Sequence, residues 1–306
     1  TTNLIVGGGG QDAFFLSRYL LKKKEKVILL TNKKNKIKIN IINKRNITHK
    51  KLNIFSQNKV FNYLKKFSYL KIFFLASHNL SIKDKENPKI LKKNILINVV
   101  GLINFLEFMN LYNKKIKLFY ASSSHIFNDT KTKIQNENTV PNFNSHYALA
   151  KNIGKEICDY YREKRNIFCS TGILYSHVSK LSKRNFLIKD LIKQIDVGKK
   201  KITVLNSRSQ IDLLSVNDVV KAMYKIMKLK KADNFIISSK KPIKVIDIFR
   251  KIKKIKKNAN VELLDLKKNI INKRTLLKGD NSKLKKKTGW IVGDNIEDIV
   301  LDFIIK

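Results

Sequence analysis

Leu4-Ile5-Val6-Gly7-Gly8-Gly9-Gly10-Gln11-Asp12-Ala13 joins a short apolar run to four glycines and then to a segment whose apolar residues recur with helical spacing, from Ala13-Phe14-Phe15-Leu16 to Tyr19-Leu20-Leu21. Val27-Ile28-Leu29-Leu30 follows as a second strand, so the opening is a βαβ unit. A glycine turn between a strand and the helix after it is where a dinucleotide pyrophosphate rests on backbone N–H groups at a helix N-terminus. Gly7 permits the tight turn and Gly10 the close approach, while Ala13 takes the third glycine position, which governs helix-to-strand packing.

Working outward, the apolar runs 72–76, 116–121 and 168–174 have the length and continuity of buried parallel strands, with helical stretches near 57–67, 90–112 and 146–164 between them. Strands alternating with helices predict an α/β fold with a doubly wound parallel sheet. Beyond about residue 175 the strand rhythm weakens. Helical patterns at 184–197, 217–228, 243–256 and 295–305 predict a smaller C-terminal lobe over the strand ends.

Where an NAD-selective protein places an acid at the end of the second strand, this chain reads Thr31-Asn32-Lys33-Lys34. A cation such as Lys33 pairs with a 2′-phosphate, which favours NADP over NAD. Further along, Tyr147-Ala148-Leu149-Ala150-Lys151 sets a phenol and an ammonium four residues apart on one helix face. An ammonium held there favours the phenolate and brings the tyrosine toward working pH, fitting Tyr147 as a general base. Ser122-Ser123-Ser124 closes the preceding strand and offers a hydroxyl to share the substrate hydrogen bond.

Composition narrows the alternatives. The 65 Lys and Arg against 23 Asp and Glu leave a formal charge of +42, but the basic residues run from end to end among abundant Ile and Asn, which reads as a compositional bias and not a nucleic-acid footprint. The two cysteines, Cys158 and Cys169, allow neither a disulfide framework nor a four-ligand zinc site, and no metal site is expected. With no unbroken apolar run of about 18 residues and no apolar signal region, a soluble cytoplasmic chain without membrane or nucleic-acid partners is the expectation.

Taken together, the glycine loop ending in Gln11-Asp12, Tyr120-Ala121-Ser122-Ser123-Ser124, Ser145 through Lys151, Gly172-Ile173-Leu174-Tyr175-Ser176-His177, Asn185-Phe186, Asp212 with Asp218, and Gly279-Asp280-Asn281-Ser282-Lys283 before Gly289-Trp290 resemble the extended short-chain dehydrogenase/reductases, the family of nucleotide-sugar epimerases and dehydratases. Within it the likeness is to the GDP-mannose 4,6-dehydratases. The resemblance implies an NADP-binding Rossmann domain over 1–175, with returning segments near 202–240, and a mainly nucleotide-sugar-binding lobe over 176–306. It implies Ser123, Tyr147 and Lys151 as the catalytic set and GDP-mannose as the substrate. Gly7, Gly10, Gln11, Asp12, Leu52, Ala76, Ser77, Lys151 and His177 are implied at the cofactor, beside Lys33 read above, with Asn185 at the substrate; Arg208 and Arg274, close in sequence to family arginine positions that this chain lacks, are the candidates to supply that charge. A homo-oligomer, dimer or tetramer, is also implied.

Departures from the pattern keep alternatives open. His125 stands where the dehydratases carry the glutamate that moves the C5 proton, and is the candidate to replace it. Ile211 and Ile270 stand where the family has arginines, and Lys51 replaces an acid. An epimerase or reductase needs no glutamate, and a non-catalytic NADP-binding scaffold needs no substrate arginines.

Overall fold

The computed structural model describes residues 1–31, 46–78, 87–128, 130–182, 186–257, 260–266 and 276–304. Its first half runs β1 (Thr2–Val6), α1 (Gln11–Lys22), β2 (Lys26–Leu30), β3 (Ile47–Lys50), α2 (Gln57–Leu64), β4 (Lys71–Phe74), α3 (Pro88–Ile95), α4 (Leu102–Leu111), β5 (Lys117–Ser123) and α5 (His146–Arg165). The second runs β6 (Cys169–Leu174), β7 (Ser176–Val178), α6 (Leu187–Asp196), β8 (Lys201–Val204), β9 (Gln210–Ile211), β10 (Leu213–Ser215), α7 (Val216–Ile226), β11 (Asn234–Ile237), β12 (Ile243–Lys244), α8 (Val245–Ile255), β13 (Glu262–Asp265), α9 (Ser282–Thr288) and α10 (Ile296–Ile304).

Seven parallel strands form one sheet in the order β11-β6-β5-β4-β1-β2-β3. Because strand polarity is uniform and both faces are covered, successive residues feed opposite cores. Ile5, Phe73 and Phe119 pack with α1 and α7 on one face, and Leu4, Val6, Ile72, Phe74 and Leu118 pack with α2, α4 and α5 on the other. This is the doubly wound architecture expected from the apolar runs. The edge strands β3 and β11 were not marked by that pattern: Ile47-Thr48-His49-Lys50 is only alternately half-buried, and Asn234–Ile237 is four residues long.

The chain order reverses between β1, whose sheet neighbours are β2 and β4, and the rest of the sheet, so a crevice opens at the carboxyl ends of β1 and β4. Gly7 holds a positive φ of 97°, and a Cβ there would lie 2.7 Å from the Ala76 backbone, so only glycine lets the loop pass the end of β4. A third apolar cluster joins α6, α8, α10 and β8 through Ile188, Leu191, Ile202, Ile248, Phe249 and Val300, with Leu263 of β13 packed against it.

Among the described residues one helical stretch, Pro88–Leu111, is long and apolar enough to cross a membrane by composition alone, and half of it is buried within the fold. Its inward face, including Leu102, Phe105 and Met109, packs in the same cluster as β4 and β5. A π-helical turn at Leu96–Gly101 interrupts the stretch, and Asn98 within it accepts a hydrogen bond from the Tyr120 hydroxyl at 3.3 Å.

Candidate active site

A cavity of about 380 Å³ opens at the crevice and is lined by Gly7, Gly10, Gln11, Asp12, Ser77, Ser123, His125, Tyr147, Lys151 and His177, all expected at the site, together with neighbours from β6, β7 and α6. These positions come from the ends of β1, β4 and β5, from β7 of a separate two-stranded sheet, and from α1 and α5, yet the fold brings them to one crevice. Leu52 is half-buried against the cluster under α2 and α4, and Ala76 supports Gly7 by its backbone; neither lines the cavity. Arg208 is exposed in the turn between β8 and β9, also outside the lining. Lys33, Asn185, Ile270 and Arg274 lie outside the described residues.

α1 begins after Gly10 without a side-chain cap, and a Cβ on Gly10 would meet nothing nearer than the Gly7 carbonyl at 3.6 Å. The first-turn N–H groups of α1 are therefore left for solvent or an anion. α5 starts at the Ser145 side chain, which accepts from the Ala148 N–H at 3.2 Å, and this sets Tyr147 in its first turn and Lys151 one turn on, beside the end of β5. The Tyr147 hydroxyl is hydrogen-bonded to the hydroxyls of Ser123 and Ser77. The His125 ring, exposed at the rim, stands edge-on to Tyr147 with centroids 5.7 Å apart.

One expectation needs correction. Lys151 does not bring Tyr147 toward working pH in this structure, because its ammonium donates to the Ala121 carbonyl at 2.7 Å and lies 5.9 Å from the centre of the Tyr147 ring. Burial lowers the Lys151 ammonium to about 7 despite the opposing charge of Asp12. Burial likewise raises the Tyr147 phenol, as does Asp12, against the Ser123 and Ser77 hydrogen bonds.

Asp12 and His177 form the other polar feature. Burial would raise the Asp12 carboxyl, but His177, Gln11 and Lys151 together hold it below its ordinary value. Burial would lower His177, but the Asp12 charge and hydrogen bond and the Tyr175 carbonyl push it up to about 8. Ser179 and Ser182, absent from the sequence reading, each donate to Gln11 Oε1 at 2.8 Å. No local pattern marks them, since 168 and 171 positions separate them from their partner. The apolar side of the cavity, Val178, Phe186, Leu187, Ile188, Ile211 and Leu213, is equally invisible in local sequence because its members come from three segments.

A sequence profile of the GDP-mannose 4,6 dehydratase family matches residues 4–303. The chain belongs to the GDP-mannose 4,6-dehydratase family. Relatives in it include the GDP-mannose 4,6 dehydratase of Dictyostelium discoideum, 26% identical over 216 residues, which are 63% of this chain and 61% of that protein. GDP-mannose 4,6 dehydratase 1 of Arabidopsis thaliana is 27% identical over 62% of this chain and 55% of its own length, so the matched region spans about three fifths of these relatives. Among solved structures, dTDP-glucose 4,6-dehydratase from Bacillus anthracis in complex with NAD superposes with a TM-score of 0.82 at 16% identity, covering 99% of this chain and 95% of that one. UDP-N-acetylglucosamine 4-epimerase from Methanobrevibacter ruminantium superposes with a TM-score of 0.83 at 17% identity, covering 99% and 98%. These neighbours share the extended short-chain dehydrogenase/reductase fold.

Proposed function

We propose that the chain is an NADP-dependent nucleotide-sugar 4,6-dehydratase acting on GDP-mannose, with the Rossmann part at 1–175 holding the dinucleotide and the lobe at 176–306 holding most of the sugar nucleotide. The observation that carries this reading is the convergence of Ser123, Tyr147, Lys151 and His125 on a cavity that also contains the glycine loop. The open face of Gly10 and the uncapped start of α1 fit a dinucleotide pyrophosphate. Lys33 is proposed to face a 2′-phosphate, and Arg208, Asn185 and Arg274 the substrate.

When bound, the dinucleotide supplies the hydride acceptor for C4 and the donor for C6. Tyr147 takes the proton of the C4 hydroxyl as the phenolate that a protonated Lys151 stabilises, while Ser123 holds that oxygen by a hydrogen bond. Lys151 releases its contact with the Ala121 carbonyl and gains its proton as dinucleotide anions enter. His125 removes the C5 proton and passes it to the departing C6 hydroxyl, and solvent returns a proton to C5. The exposed position of His125 suits that exchange.

Incubation with GDP-mannose and NADP in deuterated solvent tests the reading by product mass. Loss of one water with deuterium at C5 supports it. Net oxidation or reduction of the dinucleotide instead supports a 4-reductase or dehydrogenase. That second reading is favoured by the rim histidine in place of a carboxylate, and by a 28% identical relative over 43% of this chain, the GDP-6-deoxy-D-talose 4-dehydrogenase of Aggregatibacter actinomycetemcomitans. A product of unchanged mass and altered configuration supports an epimerase, and dinucleotide binding without turnover supports a scaffold.

A further inference from the structure

Asp12 is the second residue of α1, on the glycine loop where the helix N-terminus attracts anions. A bare carboxylate there competes with a phosphate for the same N–H groups and repels it. The carboxylate is not bare: its Oδ1 lies 3.1 Å from His177 Nε2, while His177 Nδ1 lies 2.8 Å from the Tyr175 carbonyl oxygen. Neither a carbonyl nor a carboxylate has a hydrogen to donate, so both ring nitrogens must carry protons to satisfy both contacts. Geometry alone therefore calls for an imidazolium.

The same strip of chain holds the neighbouring residue. Ser179 and Ser182 both donate to Gln11 Oε1 at 2.8 Å, and Gln11 Nε2 donates to Asp12 Oδ1 at 3.3 Å. Residues 177–182 and the start of α1 are thus clasped by one ion pair and two hydroxyl bonds, with Gln11, Asp12 and His177 lining the cavity. β7, which carries His177, pairs with β10 on the apolar side of the cavity, where Leu214 is the register partner of His177 and brings no charge. The titratable groups facing the pair are Lys151 and Tyr147 of α5, both interacting with Asp12, and His125 across the cavity.

We propose that His177, held as an imidazolium between the Tyr175 carbonyl and Asp12, is the charge that allows an anionic dinucleotide to settle on the glycine loop, and that Asp12 is the positioning residue that keeps that charge in place. This rests on the dinucleotide reading above. The raised titration of His177 agrees with it, and implies that the site loses competence as the imidazolium is lost at alkaline pH.

The test is the Kd of NADPH and of NADH, measured from pH 6.5 to 9.5 on the whole chain, with the His177 ring followed by NMR and assigned by its loss in His177→Gln. In the unmodified chain affinity should fall about tenfold between about pH 7 and pH 9, tracking the competent fraction. His177→Gln should bind weakly with a flatter profile. Asp12→Asn should let the His177 titration drop back toward its ordinary value and keep more affinity at high pH, and adding Asp12→Asn to His177→Gln should restore most of the lost binding. Melting curves establish that each variant is folded. Lys151 titrates nearby, and the pH dependence that remains in His177→Gln is its contribution, while the ring signal fixes where His177 itself titrates. Binding that ignores pH in the unmodified chain, or additive losses in the double variant, overturns the proposal. A chain that binds neither dinucleotide at any pH overturns the dinucleotide reading itself, a different outcome from binding without pH dependence.

Discussion

Across the cleft, the wall made by the glycine loop, the end of β5, α5 and His177 carries the charged groups of the cavity lining, whereas the facing residues Val178, Phe186, Leu187, Ile188, Ile211 and Leu213 carry none. On the first wall each polar group is held by another: Lys151 by Ala121, Tyr147 by Ser123 and Ser77, Asp12 by His177, and Gln11 by Ser179 and Ser182. Preorganised dipoles of this kind are what proton transfer and anion binding need. The second wall supplies shape and dry surface, and its energy comes from area, which tolerates substitution more readily.

That contrast breaks most visibly at Tyr147. Tyr147→Phe removes the hydroxyl that meets those of Ser123 and Ser77, and turnover should fall by about a thousandfold or more while dinucleotide affinity stays within a few fold. Steady-state rates beside a binding titration decide it; a wild-type rate would show that the polar wall is not the reacting one.

His125 lies where the polar wall meets solvent. His125→Ala should cut formation of the dehydrated product by about a hundredfold yet still permit C4 oxidation in a single turnover, read from dinucleotide absorbance. If dehydration continues undiminished, another group moves the C5 proton.

Stability against pH separates two members of the polar wall by sign. Lys151 is lowered from 10.5 to about 7, so between those values the unfolded chain binds more protons and this residue makes stability rise with pH. His177 is raised from 6.5 to about 8, so its stabilisation is complete below 6.5 and is lost as pH rises through about 8. Melting temperatures across this range should lose the rising component in Lys151→Met and the falling one in His177→Gln. Identical pH profiles for both variants would mean that neither residue carries the charge assigned to it.

The smallest effect belongs to the apolar wall. Ile211→Ala should raise KM by about threefold to tenfold with kcat nearly unchanged, the loss of about 1 kcal/mol of half-buried contact. A large loss of kcat there would show that the apolar wall orients the reacting atoms as strictly as the polar one does.

Much of this was legible before folding because it depends on local order. A glycine turn between a strand and a helix, a tyrosine and lysine four positions apart, and serines at a strand end are fixed by backbone periodicity, which is short-range. The continuous apolar runs predicted a two-faced parallel sheet for the same reason, and weak edges such as β3, half solvated, carried less of that signal.

What local order could not contain was direction. Lys151 lies on the expected face of α5, but its ammonium found the Ala121 carbonyl, and burial then set its charge and that of Tyr147 against the sequence expectation. The bonds from His177, Ser179 and Ser182 to Asp12 and Gln11 cross more than 160 positions, so they exist only once the fold brings both segments together. Residue type and spacing determined which groups the chain owns; desolvation and long-range pairing, which depend on three-dimensional neighbours, determined which of them are charged and what they hold.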